Sequence, residues 1–135
     1  MKYLVDANVL SEPTKASPNS GVVEWLKTHE REIAVDPIIL GELRFGILLL
    51  PAGKRRLRME EWFARGVAGL FCLPWERETG LRWAELIADL RTSRQSMPIK
   101  DSLIAATALI HDLILVTRNK RDFMNIGIEV LDPFD

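Results

Sequence analysis

The chain of 135 residues offers almost no sulfur chemistry: its single cysteine, Cys72, excludes a disulfide framework and a cysteine-held zinc site. Cys72 lies in the apolar segment Leu70-Phe71-Cys72-Leu73 and reads as a core residue. Histidine is nearly as scarce. His29 and His111 fall outside the motifs described below, so imidazole catalysis has no candidate. Net charge is missing too: 18 Lys and Arg stand against 19 Asp and Glu, a balance of −1. With no global field pulling toward nucleic acid, any such contact must come from local patches. Apolar runs are short. The one ending at Leu50 is far too brief to span a membrane, and the N-terminal run is cut by Asp6 without a signal-peptide cleavage pattern. The expectation is a protein of the reducing cytoplasm with no membrane partner. No internal repeat, low-complexity tract or long linker divides the chain, and its length suits one domain over residues 1–135.

What is present is a set of acids set in or beside apolar stretches: Asp6, Glu42, Asp101 and Asp122. Asp6 closes Tyr3-Leu4-Val5 and precedes Ala7-Asn8-Val9-Leu10. Glu42 interrupts Ile38-Ile39-Leu40-Gly41-Glu42-Leu43. Asp101 opens Asp101-Ser102-Leu103-Ile104-Ala105-Ala106-Thr107-Ala108, and Asp122 follows Leu115-Val116-Thr117-Arg118-Asn119. An ionised carboxylate beside a core is costly unless something pairs with it. Two of them about 4 Å apart repel by roughly 4 kcal/mol at an effective dielectric near 20. A bound divalent cation would resolve such a convergence.

The elements alternate. Strands are expected at residues 2–6, 32–35, 70–73, 113–116 and 128–131. Helices are expected at 21–30, from Pro37 to about Leu50, at 54–67, from Glu76 to about Arg94, and from Asp101 onward. Asp36-Pro37 reads as an N-cap followed by proline at the first helical position. Helices alternating with short buried strands predict an α/β fold with a mostly parallel, helix-covered sheet. Ligands bind such sheets at the carboxyl ends of the strands. Asp6, Asp36 and Asn119 all fall just past strands, Glu42 lies in the second turn of its helix, and Asp101 sits near a helix N-terminus that favours negative charge.

Four segments in order, Val5-Asp6-Ala7-Asn8-Val9-Leu10-Ser11-Glu12, Leu40-Gly41-Glu42-Leu43, Asp101 to Ala108 and Val116 to Phe123, resemble the PIN-domain nucleases, and among them the VapC toxins with their FitB-like relatives. The ending Val130-Leu131-Asp132-Pro133-Phe134 is similar as well. The resemblance spans essentially the whole chain. It implies a three-layer α/β/α PIN-like domain and Mg²⁺- or Mn²⁺-dependent endoribonuclease activity. It further implies a homodimer and a cognate antitoxin that binds DNA. By resemblance Asp6, Glu42 and Asp101 are metal-binding acids, and Asn119 and Asp122 share the fourth position. Ala7 departs from the family, which commonly has Thr or Ser there.

Mg²⁺ prefers one or two carboxylates and keeps several waters. Asp6 and Asp101 are therefore assigned as principal ligands and Glu42 as a ligand through water or a residue orienting it. Asn8 either orients Asp6 or caps the helix that follows, and Thr117 either supports a ligand or ends its strand. The bland alternatives are a turn at Asp6, pairing of Glu42 with Arg44 or a lysine, an ordinary helix start at Asp101 and a surface turn at Asp122. Arg118, Lys120 and Lys100 are candidate RNA contacts, whereas Lys54-Arg55-Arg56-Leu57-Arg58 reads first as a solvated helix face. The helices at 37–50 and 54–67, carrying Phe45, Leu49, Leu50, Trp62 and Phe63, could offer a groove to an antitoxin helix. Competing functions are a PIN nuclease acting in RNA processing or on structured DNA, and a catalytically silent PIN binding module. A phosphatase-like domain would want a second acid directly after a nucleophilic Asp, where Ala7-Asn8 stands.

Overall fold

Short apolar runs separated by helices pair into a five-stranded parallel sheet in the computed structural model, which describes residues 1–135. The strands are β1 (Tyr3–Val5), β2 (Ile33–Val35), β3 (Phe71–Cys72), β4 (Ile114–Val116) and β5 (Val130–Leu131). The helices are α1 (Ala7–Leu10), α2 (Ser20–Thr28), α3 (Pro37–Leu48), α4 (Lys54–Trp62), α5 (Arg77–Thr92) and α6 (Ile99–His111). Strand order is β3-β2-β1-β4-β5, with every neighbouring pair parallel. β1 is central: Tyr3 stands opposite both Ile33 and Ile114, and Val5 opposite Val116. All three residues of β1 and of β2 are buried, the continuous apolar pattern of a sheet covered on both faces. No helix is long and apolar enough to cross a membrane.

The chain adds β2 and β3 on one side of β1, then returns past it to add β4 and β5 on the other. Right-handed crossovers laid down in opposite directions put their helices on opposite faces of the sheet. This is the three-layer α/β/α arrangement expected from the sequence. The reversal of direction also opens a crevice at the carboxyl ends of β1 and β4, the place where such sheets bind ligands. Leu4, Val5, Val35 and Leu115 from the sheet pack with Val9, Ile39 and Ile104 from the helices.

Local chemistry sets the element ends. Asp36 Oδ1 accepts from the Ile39 N–H at 2.9 Å with Pro37 at the first helical position, so α3 starts as expected. Glu76 and Thr79 form a reciprocal capping box at the start of α5. Trp83 Nε1 donates to Ser102 Oγ at 2.9 Å and Trp75 Nε1 to the Leu103 carbonyl at 3.3 Å, tying α5 and the segment before it to α6.

Three differences from the sequence reading have physical causes. The helix expected over 54–67 is α-helical only to Trp62. Residues Phe63–Val67 then form a π turn closed by the Ala68 N–H on the Phe63 carbonyl at 2.9 Å. The four-residue α1 is too short to show a period. The third concerns Cys72, expected in the core and found exposed. Its strand β3 pairs only with β2 at the sheet edge, and of that apolar segment Leu73 is the residue that reaches the core.

Candidate active site

Asp6 is the first residue past β1 and lies at the crevice. Its Oδ1 accepts from the Ala7 N–H at 2.8 Å, which makes Asp6, not Asn8, the N-cap of α1. Its Oδ2 accepts from Thr117 Oγ1 at 2.8 Å, just past β4. Since Val5 and Val116 are paired, the residues that follow them meet directly. Thr117 is fully buried, and its hydroxyl also accepts from Asn8 Nδ2 at 3.3 Å and the Asn119 N–H at 3.1 Å. Asn8 Oδ1 accepts from the Arg118 N–H at 3.1 Å. Asn8 thus orients Asp6 at one remove, through Thr117. The hydroxyl missing at Ala7 is present in the site at Thr117.

The other acids converge on this corner. Burial is the main cause that lifts the Asp6 pKa from 3.8 to about 6. The Thr117 and Ala7 hydrogen bonds oppose the rise, while the charges of Glu42 and Asp101 add to it. Asp101, buried in the first turn of α6, is also raised, by burial first and then by Asp122 and Glu42, with Lys100 opposing. The charges of Glu42 and Asp101 thus reach Asp6, and those of Asp122 and Glu42 reach Asp101. Glu42, in α3, pairs through Oε2 with the Lys100 ammonium. Arg44, the other partner considered for it, pairs with Glu60 of α4.

Lys100, expected as an RNA contact, is thus already engaged inside the cluster. Its pKa is raised by Glu42 first and also by Asp101 and Asp6. Sequence separation hid this pair, because its members stand 58 positions apart. Asn119 and Asp122 stand at the exposed end of the site, where the Asp122 N–H donates to the Asn119 carbonyl at 3.0 Å. Only Asp122 of the two carries a charge, and that charge reaches Asp101. Arg118 and Lys120 are exposed beside the edge, with the Arg118 guanidinium 4.5 Å from the Phe134 ring centroid.

Asp36 does not join the cluster. Its Oδ2 accepts from Thr107 Oγ1 at 2.7 Å and its other oxygen caps α3, so it is a structural acid. Glu12 is likewise apart, held by the Asn19 N–H at 2.8 Å and by Lys15.

The donor set suits a hard divalent cation, since carboxylate oxygens at a strand edge are what Mg²⁺ and Mn²⁺ select. Glu42 Oε1 is buried without a hydrogen-bond partner, an acceptor in want of a cation. The side chains as placed do not bring three carboxylates into a ready-made ligand set. From Asn8 and Glu42 a cleft runs between α3 and α4 to Arg55, Met59 and Trp62, then continues past Arg58 toward Lys15.

The PIN domain family matches residues 3–129. The VapC ribonuclease Y4jK of Sinorhizobium fredii is 34% identical over 137 residues, covering 98% of this chain and 97% of that protein. Toxin FitB of Neisseria gonorrhoeae is 32% identical over 135 residues, covering 97% of each. Among solved structures, FitAB bound to an IR36 DNA fragment superposes with a TM-score of 0.91 at 29% identity, covering 98% of this chain and 96% of that one.

Proposed function

This chain belongs to the PIN-domain family, and from that premise we propose that it is the ribonuclease toxin of a toxin–antitoxin pair, cutting RNA phosphodiester bonds at Asp6, Glu42, Asp101 and Asp122 with Mg²⁺ or Mn²⁺ as cofactor. The observation that carries this reading is Asp6. It is a buried carboxylate fixed by the Ala7 N–H and Thr117 at the switch point of the sheet, with the charges of Glu42 and Asp101 on it. Asp6, Asp101 and Glu42 would hold the cation, with Asp122 at the fourth position in preference to Asn119. A bound divalent cation supplies easier deprotonation of water near neutral pH and neutralises charge at the phosphate.

The chain's own residues do the rest. Ala7 N–H and Thr117 Oγ1 fix both Asp6 oxygens, and Asn8 and the Asn119 N–H hold Thr117 in turn. Supports of this kind are worth about 10- to 100-fold in metal affinity or activity. Arg118 and Lys120 face solvent at the rim and are suited to RNA phosphates.

The partner in this reading is a DNA-binding antitoxin, supported by the FitAB complex on DNA. Its seat is the α3–α4 region, where Phe45, Leu49 and Leu57 are exposed and the cleft from Glu42 is flanked by Arg55 and Met59. An amphipathic helix fits such a surface. A homodimer belongs to the same proposal and is read directly from the solution mass.

The deciding experiment is cleavage of total cellular RNA by the purified, antitoxin-free chain with Mg²⁺ or Mn²⁺, with EDTA, and with Asp6→Asn and Asp101→Asn. Discrete cuts lost under chelation and in both variants are expected. Folded protein that cuts nothing in the presence of metal would turn the reading to a binding module.

A further inference from the structure

Lys100 stands in the first turn of α6, one residue before Asp101, and its ammonium reaches across to Glu42 Oε2 on α3. Three observations set this pair apart from an ordinary surface ion pair. It lies inside the acid cluster, with Asp101 the next residue of the same helical turn and Glu42 in direct contact. It engages one oxygen of Glu42 and leaves the buried Oε1 without a partner. It turns Glu42 toward α6 at a site where the acids do not already stand together as a ligand set.

The lysine side chain is about half exposed (51%), so the pair is weak and exchangeable rather than locked. A lysine ammonium is also a compact point charge that depends on no fixed bidentate geometry. It can leave a carboxylate without disturbing the backbone that carries it.

We propose that Lys100 is the internal counter-ion of the acid site: its ammonium neutralises Glu42 until it yields that carboxylate to a divalent cation, and the freed lysine then faces the RNA phosphates. This rests on the metal-dependent reading above. It assigns Lys100 two successive partners, a carboxylate and then a phosphate, where the sequence named Lys100 only for the second and left the lysine facing Glu42 unnumbered. The consequence is that the lysine competes with the metal. Removing its charge therefore tightens metal binding, whereas a lysine that serves only RNA leaves metal affinity unchanged.

The test is calorimetric titration of Mn²⁺ into the antitoxin-free chain of residues 1–135 at neutral pH, comparing wild type, Lys100→Met and Lys120→Met. Lys120 is an exposed rim lysine outside the six ion pairs of the chain and controls for general electrostatics. Lys100→Met is expected to bind Mn²⁺ about fivefold more tightly. Lys120→Met is expected to stay within about twofold of wild type, as a screened surface charge should. A second readout needs no substitution: in a Mg²⁺ titration followed through the lysine ammonium NMR signals, the Lys100 resonance shifts in step with binding. Equal or weaker Mn²⁺ affinity in Lys100→Met, or an ammonium signal indifferent to Mg²⁺ while Mg²⁺ binds, overturns the counter-ion role alone. No binding in either wild type or Lys100→Met overturns the metal reading itself and this inference with it.

Discussion

Asp6 and Asp36 occupy nearly the same place in two halves of the molecule. Each follows a three-residue buried parallel strand, each caps the next helix, and each is almost wholly buried. Each accepts one backbone N–H and one threonine hydroxyl, from Ala7 and Thr117 in one case and from Ile39 and Thr107 in the other. Burial raises the pKa of both. They part in what surrounds them. Asp6 lies where the strand order reverses, and Glu42 and Asp101 add their charge to it, whereas no other acid acts on Asp36. Burial and satisfied hydrogen bonds therefore do not separate the two carboxylates. The like charge brought to the switch point does, and it is why the proposed site is built on Asp6.

The sharpest way to break that comparison is to neutralise each acid in turn. Asp6→Asn, and Asp101→Asn beside it, is expected to lower RNA cleavage about a thousandfold or more, because each removes charge the cation requires. Asp36→Asn keeps the acceptor toward Ile39, disturbs the bond from Thr107, and is expected to leave the rate per folded molecule within about threefold, its effect confined to local stability. Cleavage rates beside circular dichroism separate the two. Equal loss in both variants would show that the site extends to Asp36.

A second separation appears in stability against pH, measured in EDTA. Below its ordinary pKa of 3.8 Asp6 is protonated in folded and unfolded chains alike, and the raised value of about 6 costs nothing there. Between those values the folded protein holds a proton that the unfolded chain has lost, so stability falls as pH rises and the loss is complete above about pH 6. The shift corresponds to at most about 3 kcal/mol. Asp6→Asn should flatten most of this slope and raise the metal-free melting temperature at neutral pH. Asp36, also raised, contributes in the same direction, so Asp36→Asn flattens a further share. Divalent metal should restore wild-type stability at neutral pH without helping Asp6→Asn.

Much of this was legible in the chain itself. Apolar runs ended by acids located the strand edge, and Asp36-Pro37 announced a helix start that the structure contains. The equivalent capping by Asp6 was hidden because α1 is four residues long and shows no period. Burial and hydrogen bonding do not distinguish Asp6 from Asp36; the acids around Asp6 are brought there by the strand order β3-β2-β1-β4-β5. The same order decides that Cys72 sits on an edge strand and is exposed, although its apolar neighbours suggested a core. The bonds from Asn8 to Thr117 and from Lys100 to Glu42 span 109 and 58 residues. Such partners are set by packing and leave no pattern along the chain.

The subtlest contrast lies in the two threonines. Thr117→Val removes the donor to Asp6 Oδ2 and also the acceptor used by Asn8 and the Asn119 N–H, so the whole support behind the acid loosens. A loss of about 10- to 100-fold in cleavage is expected. Because the Thr117 bond opposes the rise in the Asp6 pKa, its removal also moves the acid limb of the pH–rate profile to higher pH. Thr107→Val removes the matching donor to Asp36 Oδ2 and should cost about 1–3 kcal/mol of stability with no change in that profile. A profile that moves in Thr117→Val alone ties the threonine's role to the chemistry of Asp6. Profiles that stay put in both would reduce Thr117 to the structural part that Thr107 plays.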